Sequence, residues 1–331
     1  MRLVLAPMEG LTDAPMRALL TSLGGYDWCV SEFVRINDTL LPARVFRRDV
    51  PESANGFRTP AGTPVHVQLL GSDPSCIAEN AAVAASVGAP GIDLNFGCPA
   101  KMVNRHRGGA VLLDEPELVH AIVAAVRRAL PANIPVSAKM RLGYRDRERF
   151  LDNGRGLLEA GASWITVHAR TKEDGYRPPA HWHEIARLRE IAGATPVIAN
   201  GEVWTIEDHA RCCAESGCTD VMLGRGAVAS PGLAVAVRAS AAGTDASLPG
   251  WSALCELQRQ FINDADSSEG VAVGRYKQWL AFLTRIYPEA ATLFPQARTL
   301  RTRREIEAAI VASAAAGAPT ASGVRLPAAT G

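Results

Sequence analysis

Cys98 closes the stretch Asp93-Leu94-Asn95-Phe96-Gly97-Cys98-Pro99, with glycine on one side and proline on the other. The apolar run Gly91-Ile92-Asp93-Leu94 leads into it, which reads as a buried strand emptying into a polar loop. A thiol of ordinary pKa, near ~8.5, is mostly protonated at neutral pH. It suits a proton donor better than a standing thiolate, unless His168 or His106 pairs with it. Cys29, Cys76, Cys212, Cys213, Cys218 and Cys255 read as small buried hydrophobes.

Lys139 rises from an otherwise apolar or small run, Val136-Ser137-Ala138-Lys139-Met140. Such a lysine can meet the carbonyl and ring nitrogen of a flavin, or it can form a Schiff base as in an aldolase. His168 ends another apolar run in the same way. Asn200-Gly201-Glu202 and Gly224-Arg225-Gly226 follow two further short strands. Glycines let backbone N–H groups approach phosphate oxygens, and an arginine adds a charged donor fork. Two basic groups beside such a site favour a bound anionic cofactor. No metal is expected: Cys212-Cys213…Cys218 is too compact for a four-cysteine site, and the spacing of His181-Trp182-His183 matches no zinc pattern.

The elements that must position these residues alternate. Strands are expected at 3–6, 28–30, 65–69, 91–94, 136–140, 164–167, 196–199 and 220–223. Helices are expected between them, with Asp73-Pro74 as a cap and first-turn proline. Ser31 to Leu41, carrying Arg35, reads as a polar loop and helix. Residues 101–109 read as a basic loop. Helices are also expected at 116–130, 182–191, 205–216 and 227–239. Eight strand–helix alternations within about 240 residues predict a (β/α)8 TIM barrel. A Rossmann sheet would require a glycine fingerprint after the first strand, and Ala6-Pro7-Met8-Glu9-Gly10 is not one. In a barrel, Met8, Gln68, Asn95, Cys98, Lys139, His168, Asn200, Glu202 and Arg225 all fall at the C-terminal ends of strands, the face that carries active sites.

The expected organisation is a catalytic barrel over 1–242, a linker over 243–250, a small all-helical domain over 251–316 with helices at 251–264, 273–286 and 302–314, and a disordered tail over 317–331. The chain has 331 residues, 47% hydrophobic and 21% charged, with a net charge of +1, so any acidic partner must meet a local patch. Seven scattered cysteines form no disulfide framework and fit a reduced cytoplasm. The N-terminal apolar core is too short for a signal peptide, and no apolar run reaches the ~18 residues of a membrane span.

The chain resembles the tRNA-dihydrouridine synthases. The resembling stretches are, in order, Ala6-Pro7-Met8-Glu9-Gly10-Leu11-Thr12-Asp13, the Cys98 stretch, Lys139-Met140-Arg141, Thr166-Val167-His168-Ala169-Arg170-Thr171-Lys172 and Ala199-Asn200-Gly201-Glu202. Ser31-Glu32-Phe33-Val34-Arg35, Lys277-Gln278-Trp279-Leu280 and Leu293-Phe294-Pro295-Gln296-Ala297-Arg298 resemble the bacterial C type. The resemblance spans about residues 1 to 310.

It implies reduction of uridine 16 in the tRNA D-loop to 5,6-dihydrouridine by an FMN enzyme recharged by NADPH or NADH. It implies FMN binding by Pro7, Met8, Glu9, Gln68, Lys139, His168, Asn200, Gly201, Glu202, Gly224 and Arg225. Asn95 would hold the uracil, and Cys98 would be the acid. Arg35, Tyr176, Lys277, Trp279 and Arg298 would meet tRNA. No protein partner is implied, and a monomer is expected.

From Gly270 onward there are eight Lys or Arg against three Asp or Glu. Interleaved Tyr276 and Trp279 make an RNA-facing patch the expectation there, and the Arg-rich loop from Arg141 to Arg149 with Lys101, Arg105 and Arg107 would extend it onto the barrel face. Val103-Asn104-Arg105-His106-Arg107-Gly108-Gly109 is bulkier than the small, Gly/Ser-rich loop the family leads one to expect after the cysteine. The rival readings are a flavin reductase of free pyrimidines, a Schiff-base aldolase using Lys139, and a non-catalytic RNA-binding module.

Overall fold

The computed structural model describes residues 1–244, 247–263 and 268–316, which fall into two compact units, the second beginning at Pro249. The first unit alternates β1 (Leu3–Leu5), α1 (Ala14–Ser22), β2 (Trp28–Arg35), α2 (Ala43–Asp49), β3 (Val65–Leu70), α3 (Pro74–Ser86) and β4 (Ile92–Phe96). It continues with a short α4 (Lys101–Arg105), α5 (Pro116–Ala129), β5 (Val136–Arg141), α6 (Phe150–Glu159), β6 (Ile165–His168) and α7 (Trp182–Ile191). It ends with β7 (Val197–Asn200), α8 (Ile206–Ser216), β8 (Asp220–Leu223), α9 (Arg225–Ala229) and α10 (Leu233–Ala241).

All neighbouring strands are parallel, and β8 pairs back onto β1, so the sheet closes into an eight-stranded barrel. The strands are buried on both faces because helices cover the outside and side chains fill the inside. Short polar residues start the helices where the sequence suggests. Asp13 accepts from Met16 N at 3.1 Å and Asp73 from Cys76 N at 2.6 Å. Thr205 and Asp208 form a reciprocal capping box at α8.

The N-terminal end of the barrel is plugged by rings. His66 stacks on Trp28 at 5.7 Å, and Trp164 packs against both, 5.1 Å from Trp28 and 5.5 Å from His66. Val4, Val30, Ile198 and Met222 complete that cluster. Burial pushes the His66 imidazole down to about 4, so it is a neutral packing group at physiological pH.

Three expectations are corrected. Residues 31–35 are strand: after a register shift between Val30 and Phe33, Phe33, Val34 and Arg35 pair with Gln68, Leu69 and Leu70. The bulge hides the continuation from a pattern of strict alternation. Arg35 therefore stands at the barrel mouth, at the end of β2. The basic segment after Pro99 is a short helix, α4, followed by a 3-10 stretch from Gly109 to Asp114. The stretch 227–239 belongs to two helices, α9 and α10, broken near Ser230.

The second unit contains α11 (Trp251–Asn263), α12 (Glu269–Leu283), α13 (Pro288–Ala297) and α14 (Arg303–Ala316). The sequence reading lacked α13, which begins and nearly ends with proline. A fourth correction concerns the aromatics expected to face RNA. Trp279 is 0% exposed and packs edge-on against Phe261 at 5.0 Å. Tyr276 is buried with its hydroxyl donating to Gln258 Oε1 at 2.8 Å. Neither ring is placed to stack on a base; both are core. The expected tail over 317–331, and residues 245–246 of the expected linker, lie outside the described residues.

Candidate active site

The C-terminal ends of the strands bring the chemistry-bearing residues of the barrel together. β4 carries Asn95 in its last turn of pleat, and Cys98 follows in the loop. Asn95 Oδ1 accepts from the backbone N–H of both Gly97 and Cys98, each at 2.9 Å. Asn104 Nδ2 donates to Cys98 O and Gly108 O at 2.9 Å, which ties α4 to the cysteine. Gly109 explains part of that loop's shape: its φ is +68°, and a Cβ there would lie 2.8 Å from Cys98 O. The bulk of Val103 is buried, and Arg107 is held by an exposed ion pair to Glu115. Burial pushes the Cys98 thiol up. The Ala100 N–H and the nearby Arg141 and Arg35 pull it back in part, while Glu9 adds to the rise. The thiol is thus protonated at neutral pH.

β5 delivers Lys139 and Arg141, two residues apart and on one face. Lys139 makes no hydrogen bond to the protein among the described residues. Burial and the Arg141 cation lower its ammonium to about 8, with Asp93 opposing. Arg141, expected at the start of an Arg-rich stretch of positive surface, is buried and is a clamp. Its Nε donates to Gly97 O at 2.8 Å, and its Nη1 to Thr171 O at 3.0 Å and Gly175 O at 3.1 Å. It joins the cysteine loop to the loop that carries Tyr176. Tyr176 is half exposed and lies under the guanidinium groups of both Arg141 (5.4 Å) and Arg225 (4.4 Å), with its ring 6.0 Å from His168.

His168, at the end of β6, is held neutral well below its usual range, first by burial and then by Arg141, Lys139, Arg170 and Arg225. Asn200 Nδ2 donates to Met222 O at 2.7 Å, bridging the ends of β7 and β8. Gly201 has φ +113°, and a Cβ there would lie 2.7 Å from His168 Cδ2, so only glycine fits beside that ring. Glu202 also has positive φ, +58°, a costly conformation for a residue with a side chain. Its carboxylate is fixed by Arg170 and by Trp204 Nε1 at 3.0 Å, with Arg225 at 3.8 Å. Arg170 is wholly buried, and its Nη1 has no hydrogen-bond partner among the described residues. It too was visible in the sequence only as a strand-end arginine.

β1 and β3 close the circle. Met8 N donates to Thr12 Oγ1 at 2.8 Å, which fixes the Pro7-Met8-Glu9 turn. Gln68 sits one layer beneath the mouth, wholly buried. Arg35 lies over the ring of Phe33 at 5.8 Å. It also lines a cavity of about 410 Å³ with Asn37, Asp38, Ser72 and His106.

The site therefore gathers Lys139, Arg141, Arg170 and Arg225 near His168, with Glu202 against Arg170 and Arg225 and Asp93 beneath Lys139. That cationic excess, with backbone cradles at Gly201 and Gly224, fits an anionic ligand. In the second unit, Lys277 Nζ donates to Arg298 O at 3.1 Å and Leu300 O at 2.5 Å, capping the end of α13, and Arg298 is exposed. Among the described residues there is no group of three or more His, Cys, Asp or Glu that could hold a metal. No helix among them is long and apolar enough to cross a membrane.

Comparison with known proteins bears on what the arrangement does. A family model described as dihydrouridine synthase matches residues 4–308. The tRNA-dihydrouridine(16) synthase of Aquipseudomonas alcaligenes is 57% identical over 300 residues, 90% of this chain and 95% of that one. The protein of the same name from Pseudomonas putida is 55% identical over 300 residues, with 90% and 93% covered. That from Ralstonia nicotianae is 52% identical over 307 residues, with 92% and 94% covered. Among solved structures, a 2-naphthoyl-CoA reductase in complex with 2-naphthoyl-CoA superposes with a TM-score of 0.54 at 10% identity. That likeness covers 76% of this chain and about half, 51%, of the reductase, and it speaks for the fold alone.

Proposed function

The chain belongs to the dihydrouridine synthase family, and from that premise we propose that it reduces uridine to 5,6-dihydrouridine in tRNA, at position 16, with FMN as its flavin and NADPH or NADH as reductant. The observation that carries the reading is a Cys98 thiol kept in its acid form by burial, at the same barrel mouth as a lysine with no hydrogen bond among the described residues and a cationic, glycine-lined loop pair.

The residues fit a flavin mononucleotide. Asn200, Gly201, Gly224 and Arg225 would take its phosphate, as the loops after strands seven and eight of barrels do. Lys139 and His168, with Pro7, Met8 and Glu9 around them and Gln68 beneath, would meet its ring. Glu202 holds Arg170 and Arg225 in place. The flavin, when bound, would supply a hydride to C6 of the base.

Everything else falls to the chain. Hydride addition at C6 of uracil leaves negative charge on C5 and O4, because the C4 carbonyl conjugates with that bond. Cys98 would deliver its proton to C5, and a thiol with a raised pKa is present in the acid form. Asn95, with one amide hydrogen still to offer, would hold the base edge. Cations at Lys139 and Arg141 favour the developing charge in a site of low dielectric. The base must leave its stack to enter, which costs less in a loop than in a duplex. Arg35 and Tyr176 on the barrel, and Lys277 and Arg298 on the helical unit, would contact tRNA through phosphates and exposed bases. Trp279 has no such part; it holds the helices that carry them.

The test is direct. In tRNA from a strain lacking this protein, dihydrouridine should be absent at position 16 alone. Purified yellow protein with NADPH should restore it. Intact dihydrouridine at 16, or a product at another position, overturns the assignment.

A further inference from the structure

Asp93 lies inside the barrel, two residues before Asn95 on the same face of β4. It is 0% exposed, as are its neighbours Gln68 on β3 and Ser137 on β5, with which it is in register. In the proposed chemistry Asp93 itself meets neither flavin nor base, although its neighbour Gln68 lies beneath the flavin ring. A buried carboxylate is costly unless it is fully hydrogen-bonded, so its place asks for a reason.

Its bonds supply one. Asp93 accepts from Ser137 Oγ at 2.6 Å and from Gln68 Nε2 at 2.7 Å. Gln68 Oε1 accepts from Asn95 Nδ2 at 2.7 Å. Asn95 Oδ1 accepts from the Gly97 and Cys98 N–H groups at 2.9 Å. An amide can turn end for end, and either orientation is open to an isolated Asn or Gln. Here both ends of the chain are fixed. The backbone N–H groups can only donate, and the Asp93 oxygen that meets Gln68 Nε2 accepts. The two amides between them therefore have one self-consistent orientation, with every bond pointing from the cysteine loop down to Asp93.

We propose that Asp93 is a positioning residue which, through Gln68, locks the Asn95 amide in the orientation that holds the Cys98 backbone and so sets where the thiol stands. The claim rests on the reading of Cys98 as the acid. It extends that reading to a residue below the site. Burial raises the Asp93 carboxyl above its usual range, and the Ser137 and Gln68 hydrogen bonds and the Lys139 cation oppose that rise in part. The same carboxylate thereby serves the cation that faces the ligand.

Two variants of the flavin-loaded protein test it. Asp93→Leu fills the space but removes the acceptor. Asp93→Asn keeps the shape and one acceptor oxygen. In Asp93→Leu, hydrogen exchange of the Gly97 and Cys98 amides should quicken at least ~10-fold, with the rest of the barrel unchanged. Pre-reduced enzyme should transfer to tRNA about 10- to 100-fold more slowly, the cost of a misplaced group. tRNA affinity should stay within about twofold, since its phosphate contacts are untouched, and rates are taken per bound flavin because Gln68 and Lys139 beside Asp93 face the flavin. Asp93→Asn should restore most of the exchange protection and most of the rate.

Unchanged exchange at Gly97 and Cys98 in Asp93→Leu overturns the proposal, as does a uniform rise across the barrel. A loss in Asp93→Asn as large as in Asp93→Leu overturns it too, because charge rather than orientation would then be at work. Should Asp93→Leu fail to fold, Gln68→Met interrupts the same chain and must loosen the same two amides; their unaltered protection is again refutation. The exchange measurement needs no tRNA, so it decides the positioning role even if another substrate proves to be reduced.

Discussion

Two imidazoles inside this barrel are kept neutral by different means. His66, near the N-terminal ends of the strands, is lowered by burial alone and fills space between Trp28 and Trp164. His168, at the C-terminal ends, is lowered by burial and then by four cations, Arg141, Lys139, Arg170 and Arg225. One end of the barrel is completed by the protein itself. The other is left with an electrostatic imbalance that a bound anion would relieve. Barrels share a scaffold along the whole strand, yet only one end is built as a site, and the contrast between these two histidines is a local measure of that asymmetry.

The sharpest break between the ends should come from Cys98→Ala. If Cys98 is the acid proposed above, its removal should lower dihydrouridine formation about 10²- to 10⁴-fold. FMN content, tRNA affinity and thermal stability should stay near those of the parent. Unchanged turnover would remove the thiol from the reaction and leave the mouth without its proton donor.

How much of this asymmetry was legible beforehand can be judged from particular residues. The strand ends were readable because parallel strands are near-continuous apolar runs, so a polar residue such as Lys139 or His168 at the end of one stands out. The barrel followed from counting those runs. β2 was cut short because Ser31-Glu32 interrupts the apolar pattern at the bulge, and pairing with β3 overrides local preference. Prolines at 288 and 295 masked α13. Trp279 was misjudged because an aromatic in a basic stretch serves core or surface equally well, and only packing decides. Arg141 and Arg170 were visible as strand-end arginines, but their part as clamps depends on carbonyls supplied by distant loops. Asp93 sits in mid-strand, where sequence gives no hint that it faces inward.

The floor has its own pH signature. His66 titrates near 6.5 when unfolded and at about 4 when folded. The folded state therefore refuses a proton that the unfolded chain accepts. Stability from this group is fully present above pH 6.5 and is lost as pH falls toward 4, roughly 3 kcal/mol in all. His66→Leu should flatten that part of the acid limb in urea titrations between pH 7 and 4, and leave the pH dependence of flavin binding alone. An unaltered limb would mean that other groups govern acid unfolding.

At the mouth the corresponding signature is alkaline. Lys139 carries its charge below about 8 and loses it above. In the unloaded protein, flavin affinity should be flat below that pH and weaken as pH rises through it, by up to about tenfold per unit while the bound form retains the proton. Lys139→Arg should move the limb beyond the accessible range, and Lys139→Met should weaken binding at every pH. The Cys98 thiol, raised by burial, cannot produce a limb near 8, so the two residues are separable in one titration series. A limb that persists in Lys139→Arg would assign it elsewhere.

The smallest effect bears most directly on the comparison. If the cations around His168 await an anion, then adding one should return part of what they take from its pKa. Inorganic phosphate or FMN should raise the His168 value by about 1 pH unit, the scale of a nearby opposite charge. His66 lies among Trp28, Trp164 and apolar side chains, with no charged group contributing to its shift, so it should not respond. Long-range imidazole nitrogen–proton correlations of the same sample resolve both rings across pH and serve as each other's control. A shift at His168 alone supports a mouth balanced for an anion. Equal shifts would mean that the ligand changes the whole barrel rather than one end of it. No shift at either would mean that His168 is neutral through burial, like His66, and the distinction between the two histidines would fall.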